Sequence, residues 1–171
     1  MAHSLSFQRP AAGNRVCIVT NAGGHGVLAA DECARQGLDL PPLPEEVTRR
    51  LRQALPPFYA VGNPTDLTGQ VRDDDYRTAL GAVRDHYDGF LVIALAGVAG
   101  ITLRLAEILR DFRSSTDKPV VVHAAQGDVA RKLIPLLEKA GLPVYPSPER
   151  AVRGLRAILE SDREKDADES R

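Results

Sequence analysis

The run GFLVIAL, Gly89 to Leu95, constrains this chain most. It has no polar alternation, so it suits a strand covered on both faces. Around it the pattern changes repeatedly from strand to helix. Arg15 to Thr20 is a short apolar, β-rich run, and KPVVVHAA and PVYPS follow later. Leu38 to Leu43 reads as a weak second strand, although Pro41 and Pro42 lack ladder donors. Helical spacing marks Val27 to Ala34 with Gly37 at its end. PEEVTRRLRQAL opens on Pro44 with acids in its first turn, and Pro56 and Pro57 close it. Further helices are expected over Asp73 to Tyr87, over Ile101 to Phe112, in DVARKLIPLLEKAG with Pro135 inside, and in PERAVRGLRAIL. VGNPTDLTG reads as an irregular, turn-rich segment.

Strands alternating with helices argue for an α/β fold with three layers, α/β/α. The expected order is flavodoxin-like, with about five mostly parallel strands. Residues 1–13 read as a tail or linker, 14–159 as one domain, and 160–171 as a charged, disordered tail. A net charge of -1 gives no basic excess to attract nucleic acid or an anionic membrane surface. There is no apolar signal core and no run of membrane-spanning length, so a cytoplasmic location is expected. Cys17 and Cys33 lack CxxC spacing and read as buried apolar residues, with neither a disulfide nor a metal expected.

The glycines at positions 23, 24 and 26 follow the first apolar run and open the first helix. In an open parallel sheet, ligands collect at such strand-to-helix turns. Unpaired N–H groups and the positive helix end favour an anion, and glycine lets the backbone approach it. Asn21, Ala22, Gly23, Gly24, His25 and Gly26 are therefore candidate phosphate-binding residues. The loop is neither a Walker motif nor GxGxxG, and its few hydroxyls do not suit a flavin phosphate. A tight turn serving only close packing explains the same glycines. His25 is a candidate acid, base or phosphate contact, or a turn residue facing solvent, and no carboxylate in the sequence is evident to orient it. His123 ends a strand at the expected ligand edge, His86 reads as a surface helix residue, and His3 lies in the tail.

Three stretches together carry a resemblance: NRVCIVTNAGGHGVLAADE; LPPFYAVGNPTDLTG, followed by an acidic helix and GFLVIAL; and KPVVV with AGLPVYPSPERAVRGLRAI. They resemble the second flavodoxin-like ligase-CoA domain of the NDP-forming acyl-CoA synthetases, the family of ADP-forming acetyl-CoA synthetase, related to succinyl-CoA synthetase. The resemblance implies a domain or subunit of a ligase that interconverts acyl phosphate and acyl-CoA through a phosphorylated histidine. It implies that the loop opens a "power helix" facing the phosphate and phosphohistidine. It implies Asn63 and Asp66, in the GNPTDLTG stretch, as cleft-lining residues. CoA, ATP or ADP, and Mg²⁺ would serve the full enzyme, with none bound by this domain alone. The implied partners are a CoA-binding, phosphohistidine-bearing domain and an ATP-grasp domain or subunit. The isolated chain is then expected to be inactive.

Two features depart from the family pattern. Proline commonly stands where this chain has His25, and the Ser-His-Thr-Gly loop of the phosphorylated histidine is missing. His25 therefore does not inherit the nucleophile role. The alternative is a non-catalytic module of the same fold that senses a phosphate metabolite or docks a partner.

Overall fold

In a computed structural model, residues 13–169 are described, with side chains through 160. The expected tail residues 1–12, with His3, and the last two residues lie outside the described residues. The apolar runs become strands β1 (Val16–Thr20), β3 (Gly89–Leu95) and β4 (Val120–Ala125). Short pairs form the flanks, β2 (Thr65–Asp66) and β5 (Val144–Tyr145). All pairings are parallel, in the order β2-β1-β3-β4-β5. This is the flavodoxin-like order, with the sheet reversing direction at β1.

Leu38 to Leu43 is not a strand. Asp39 makes one isolated bridge to Arg15, and the prolines remove the donors a ladder needs. The edge strand is instead Thr65–Asp66, inside the segment read as irregular. Leu67 N–H extends that edge by donating to Thr20 O at 2.7 Å.

The helices are α1 (Gly23–Arg35), α2 (Glu45–Ala54), α3 (Asp73–Val83), α4 (Arg104–Ser114), α5 (Gly127–Lys139) and α6 (Pro148–Glu169). Helix α1 ends as its sequence suggests. Gly37 takes φ +66°, and Leu38 N–H reaches back to Cys33 O at 2.9 Å. Pro135 sits inside α5.

Strand parity sorts the core into two faces. Cys17, Val19, Phe90, Val92 and Val122 pack with Leu51, Leu80, Leu109 and Leu133, on the side of α2 to α5. Val16, Ile18, Leu91, Ile93 and Val121 pack with Ala29, Cys33, Val152 and Leu155, on the side of α1 and α6. Burial of both faces explains why β1, β3 and β4 read as unbroken apolar runs. Both cysteines are free and buried, and burial pushes both thiols above their ordinary value.

Candidate functional site

The carboxyl end of β1 forms the start of the site. Thr20 is buried, and its hydroxyl donates to Ala22 O at 3.0 Å and accepts the Ala22 N–H at 2.9 Å. Asn21 turns inward across the switch point. Its amide donates to Leu95 O at 3.0 Å and accepts Leu95 N–H at 2.9 Å. The side chain thus continues the β1–β3 ladder one step past the backbone, and fixes where the loop leaves the sheet.

Helix α1 then begins without a side-chain cap. Its first backbone bond runs from Gly26 N–H to Ala22 O at 3.0 Å. The N–H groups of Gly23, Gly24 and His25 therefore precede the ladder, at the positive end of the helix.

The three glycines have three different surroundings. A Cβ on Gly26 would lie 3.1 Å from Thr20 Cγ2 and 3.6 Å from Pro64 Cβ, so close packing accounts for it. A Cβ on Gly23 would lie 2.7 Å from Asp66 Oδ2. A Cβ on Gly24 would meet nothing within 4 Å, and this glycine has no positive φ. Nothing in the fold of the described residues requires glycine at position 24.

Asp66 stands at the mouth of the loop. Its Oδ1 accepts Thr68 N–H at 2.8 Å, and its backbone sits beside Thr20 in the sheet. Asn63 is placed differently. Its carbonyl accepts Ile18 N–H at 3.0 Å, and its amide donates to Val16 O at 2.8 Å and Pro41 O at 3.0 Å. That side chain is committed to the buried backbone of β1 on the side where the two-residue strand β2 is too short to reach.

His25 has an orienting partner that the sequence did not reveal. Its Nδ1 lies 3.0 Å from Nε2 of His123, and the two rings stack with centroids 5.1 Å apart. His123 is buried within β4, two residues before its end, and its Nδ1–H donates to Tyr145 O at 2.9 Å. Burial holds the His123 imidazole below the ordinary histidine value, against the opposing pull of that hydrogen bond and of Glu149. The sequence placed His123 at the ligand edge of the sheet, and strand parity adds that, two residues from Val121, it faces the α1 layer. Among the described residues, no cluster of three or more His, Cys, Asp or Glu side chains is arranged to hold a metal ion. Nor is any helix among them long and apolar enough to cross a membrane.

Fold and site together define a doubly wound parallel α/β domain whose open loop lies at the switch point beside β1. Residues 16–163 match the family model of the Ligase-CoA domain. The chain belongs to this family, that of the NDP-forming acyl-CoA synthetases. It is 41% identical, over 154 residues, to the alpha subunit of acetate–CoA ligase [ADP-forming] II from Pyrococcus furiosus, with 86% of this chain and 34% of that subunit covered. Among solved structures it resembles a Pyrococcus horikoshii OT3 protein with TM-score 0.86 and 36% identity, covering 94% of this chain and 38% of that one. It also resembles Ca. Korarchaeum cryptofilum dinucleotide forming acetyl-coenzyme A synthetase 1, solved in complex with phosphate and ADP. There the TM-score is 0.84 and the identity 30%, covering 94% of this chain and 36% of the other. The chain spans about a third of the length of the two Pyrococcus furiosus alpha subunits it matches, and less than a quarter of several other curated relatives.

Proposed function

We propose that this chain acts as the phosphate-facing domain of an ADP-forming acyl-CoA synthetase, of the acetyl-CoA synthetase kind. In this reading the N-terminus of α1 holds the phosphate or phosphohistidine while acyl phosphate and acyl-CoA interconvert. The observation that carries it is Gly24: a glycine that neither packing nor backbone angle explains, at an uncapped helix end, with open space before it.

The chemistry asked of such a site is electrostatic. A transferring phosphoryl group spreads charge over its oxygens, and pre-placed N–H donors stabilise that charge without reorganising. Gly23, Gly24 and His25 offer those donors, and the helix dipole adds to them. Asn21 holds the loop to β3, and Thr20 and Gly26 set how closely the helix start approaches the sheet. Nucleotide with Mg²⁺, and CoA, would be held by domains outside this chain. The Pyrococcus alpha subunit and the Korarchaeum synthetase are about three times as long as the matched segment, which supports that division.

The test is reconstitution. With ATP, acetate and CoA, the purified chain alone is expected to form no acetyl-CoA, and addition of a CoA-binding, phosphohistidine-bearing domain and an ATP-grasp subunit is expected to restore turnover. Gly24→Asp, which places a carboxylate in the open space, is expected to lower that turnover at least about a hundredfold with the fold intact. Turnover by the chain alone, or full activity of Gly24→Asp in the assembly, would overturn the reading. Unchanged partner docking by Gly24→Asp with no turnover in any assembly would favour a non-catalytic binding module.

A further inference from the structure

The histidine pair carries one step more. Tyr145 O can only accept, so Nδ1 of His123 must bear a proton. In the neutral ring, Nε2 of His123 is then an acceptor. The contact at 3.0 Å therefore requires the proton on Nδ1 of His25. Nε2 of neutral His25 is left as a bare lone pair, and no described residue bonds to it.

Adding one proton to the pair has a single outcome at that atom. If His25 carries the charge, the new proton is on its Nε2. If the central proton moves across to His123, Nε2 of His25 still bears the added one. The charge state of both rings is thus read at one nitrogen.

We propose that His25 and His123 form a proton-switched pair, in which His123 is a positioning residue and His25 Nε2 changes from acceptor to donor as a phosphate-type oxyanion is bound. This rests on the reading of α1 as a phosphate-holding helix. The balance is simple: one proton is taken up from solvent, no covalent bond forms, and the new N–H donates to an anion oxygen. Neutral Nε2 would face that oxygen lone pair to lone pair.

The surrounding charges do not supply the switch by themselves. Asp66 on β2 stands at the mouth of the loop, while Tyr145 on β5 contributes its carbonyl. Glu149 at the start of α6 acts on His123 through space, and hydrogen bonding holds its carboxyl below the usual range. Glu32 on α1 is paired with Arg35 and Arg153. Strand β3 bears no ionisable side chain.

The experiment uses the 171-residue chain with ¹⁵N-labelled histidine. Long-range NMR spectra across the histidine titration are expected to show neutral His25 protonated at Nδ1, with the added proton arriving at Nε2. A neutral His25 protonated at Nε2 overturns the relay. Sulfate, whose charge is constant over this range, is then titrated on both sides of the pair's midpoint. It should bind about tenfold tighter to the charged pair, and His25→Gln should bind it with no pH dependence. In His123→Leu, the neutral His25 ring should revert to mixed tautomers. If that variant does not fold, the wild-type spectra and His25→Gln carry the test. Sulfate shifts at the Gly23 and Gly24 amides of equal affinity at both pH values overturn the switch and leave the phosphate reading standing. No shifts at either pH overturn the phosphate reading and the proposal with it.

Discussion

The Asp66 carboxylate occupies the place a Gly23 side chain would need, with Oδ2 2.7 Å from where that Cβ would be. A negative group therefore stands beside the positive end of α1. The two charges suit each other, but Asp66 opposes any second anion there. Asp66→Asn keeps an acceptor for Thr68 N–H and removes the charge. At contact range in water-like surroundings a unit charge is worth about 1 kcal/mol. Sulfate binding to Asp66→Asn is expected to tighten at least about fivefold at low salt, with the gain fading at high salt, as calorimetry would show. Unchanged affinity at both ionic strengths would place the anion elsewhere.

Gly24 and Gly26 should respond oppositely to the same substitution. Gly24→Ala adds a methyl to open space at an ordinary helical angle, and should raise stability by about 0.5 kcal/mol through the unfolded chain. Gly26→Ala presses on Thr20 and Pro64 and should cost about 1–2 kcal/mol. Urea denaturation resolves both. A Gly24→Ala protein that is more stable yet binds sulfate less well would separate the fold's needs from the site's.

Glu32 ties the first helix to the last. Its buried carboxylate accepts Arg153 Nε at 2.7 Å, Arg35 Nε at 2.8 Å and Gln36 Nε2 at 2.9 Å. The Arg153 and Arg35 hydrogen bonds hold its pKa down to about 2, from an ordinary 4.5. A depressed acid stabilises the fold above its ordinary pKa, and that contribution disappears as pH falls from about 4.5 toward 2. Glu32→Gln should destabilise the chain by about 1–2 kcal/mol at neutral pH. It should also flatten the acid limb of the stability profile, measured by thermal melts at stepped pH.

His123 sets a limit of the same sign, nearer neutrality. Its imidazole is held below the ordinary 6.5 by burial. Below that pH the unfolded chain binds a proton at this residue that the folded chain refuses. Stability should thus fall as pH drops below about 6.5, by at most about 1.4 kcal/mol per pH unit for one proton. The difference between wild type and His123→Leu, from chemical denaturation at pH 5 to 8, should show this slope. Parallel profiles would show that His123 charges freely in the fold.

The parts legible in sequence were those in which each residue carries its own signal. GFLVIAL is apolar throughout because β3 is covered on both faces. Gly37 marks the end of α1 because only its backbone angle suits the turn. Thr65 and Asp66 carried no such signal, since two residues cannot display a period and their strand exists only through β1. Leu38 to Leu43 misled for the converse reason: Leu38 and Leu43 are buried as a strand's would be, while Pro41 and Pro42 cannot pair. The glycine loop was visible as a candidate, but the difference between Gly24 and Gly26 depends on Thr20 and Pro64 lying across the helix. The His25–His123 contact joins residues 98 positions apart and required the strand order to appear.

The pairing of α1 with α6 has a consequence for synthesis. Glu32 and Arg153 are 121 residues apart in the chain, and Cys33 packs in one cluster with Val152 and Leu155. As the chain leaves the ribosome, the loop-bearing helix α1 is made long before its cover α6. Until α6 emerges, one whole face of the growing sheet lacks its second helix. The nascent protein would hold Ile18, then Leu91, then Val121 partly bare as each is made, so holding by a chaperone matters most just before α6 arrives.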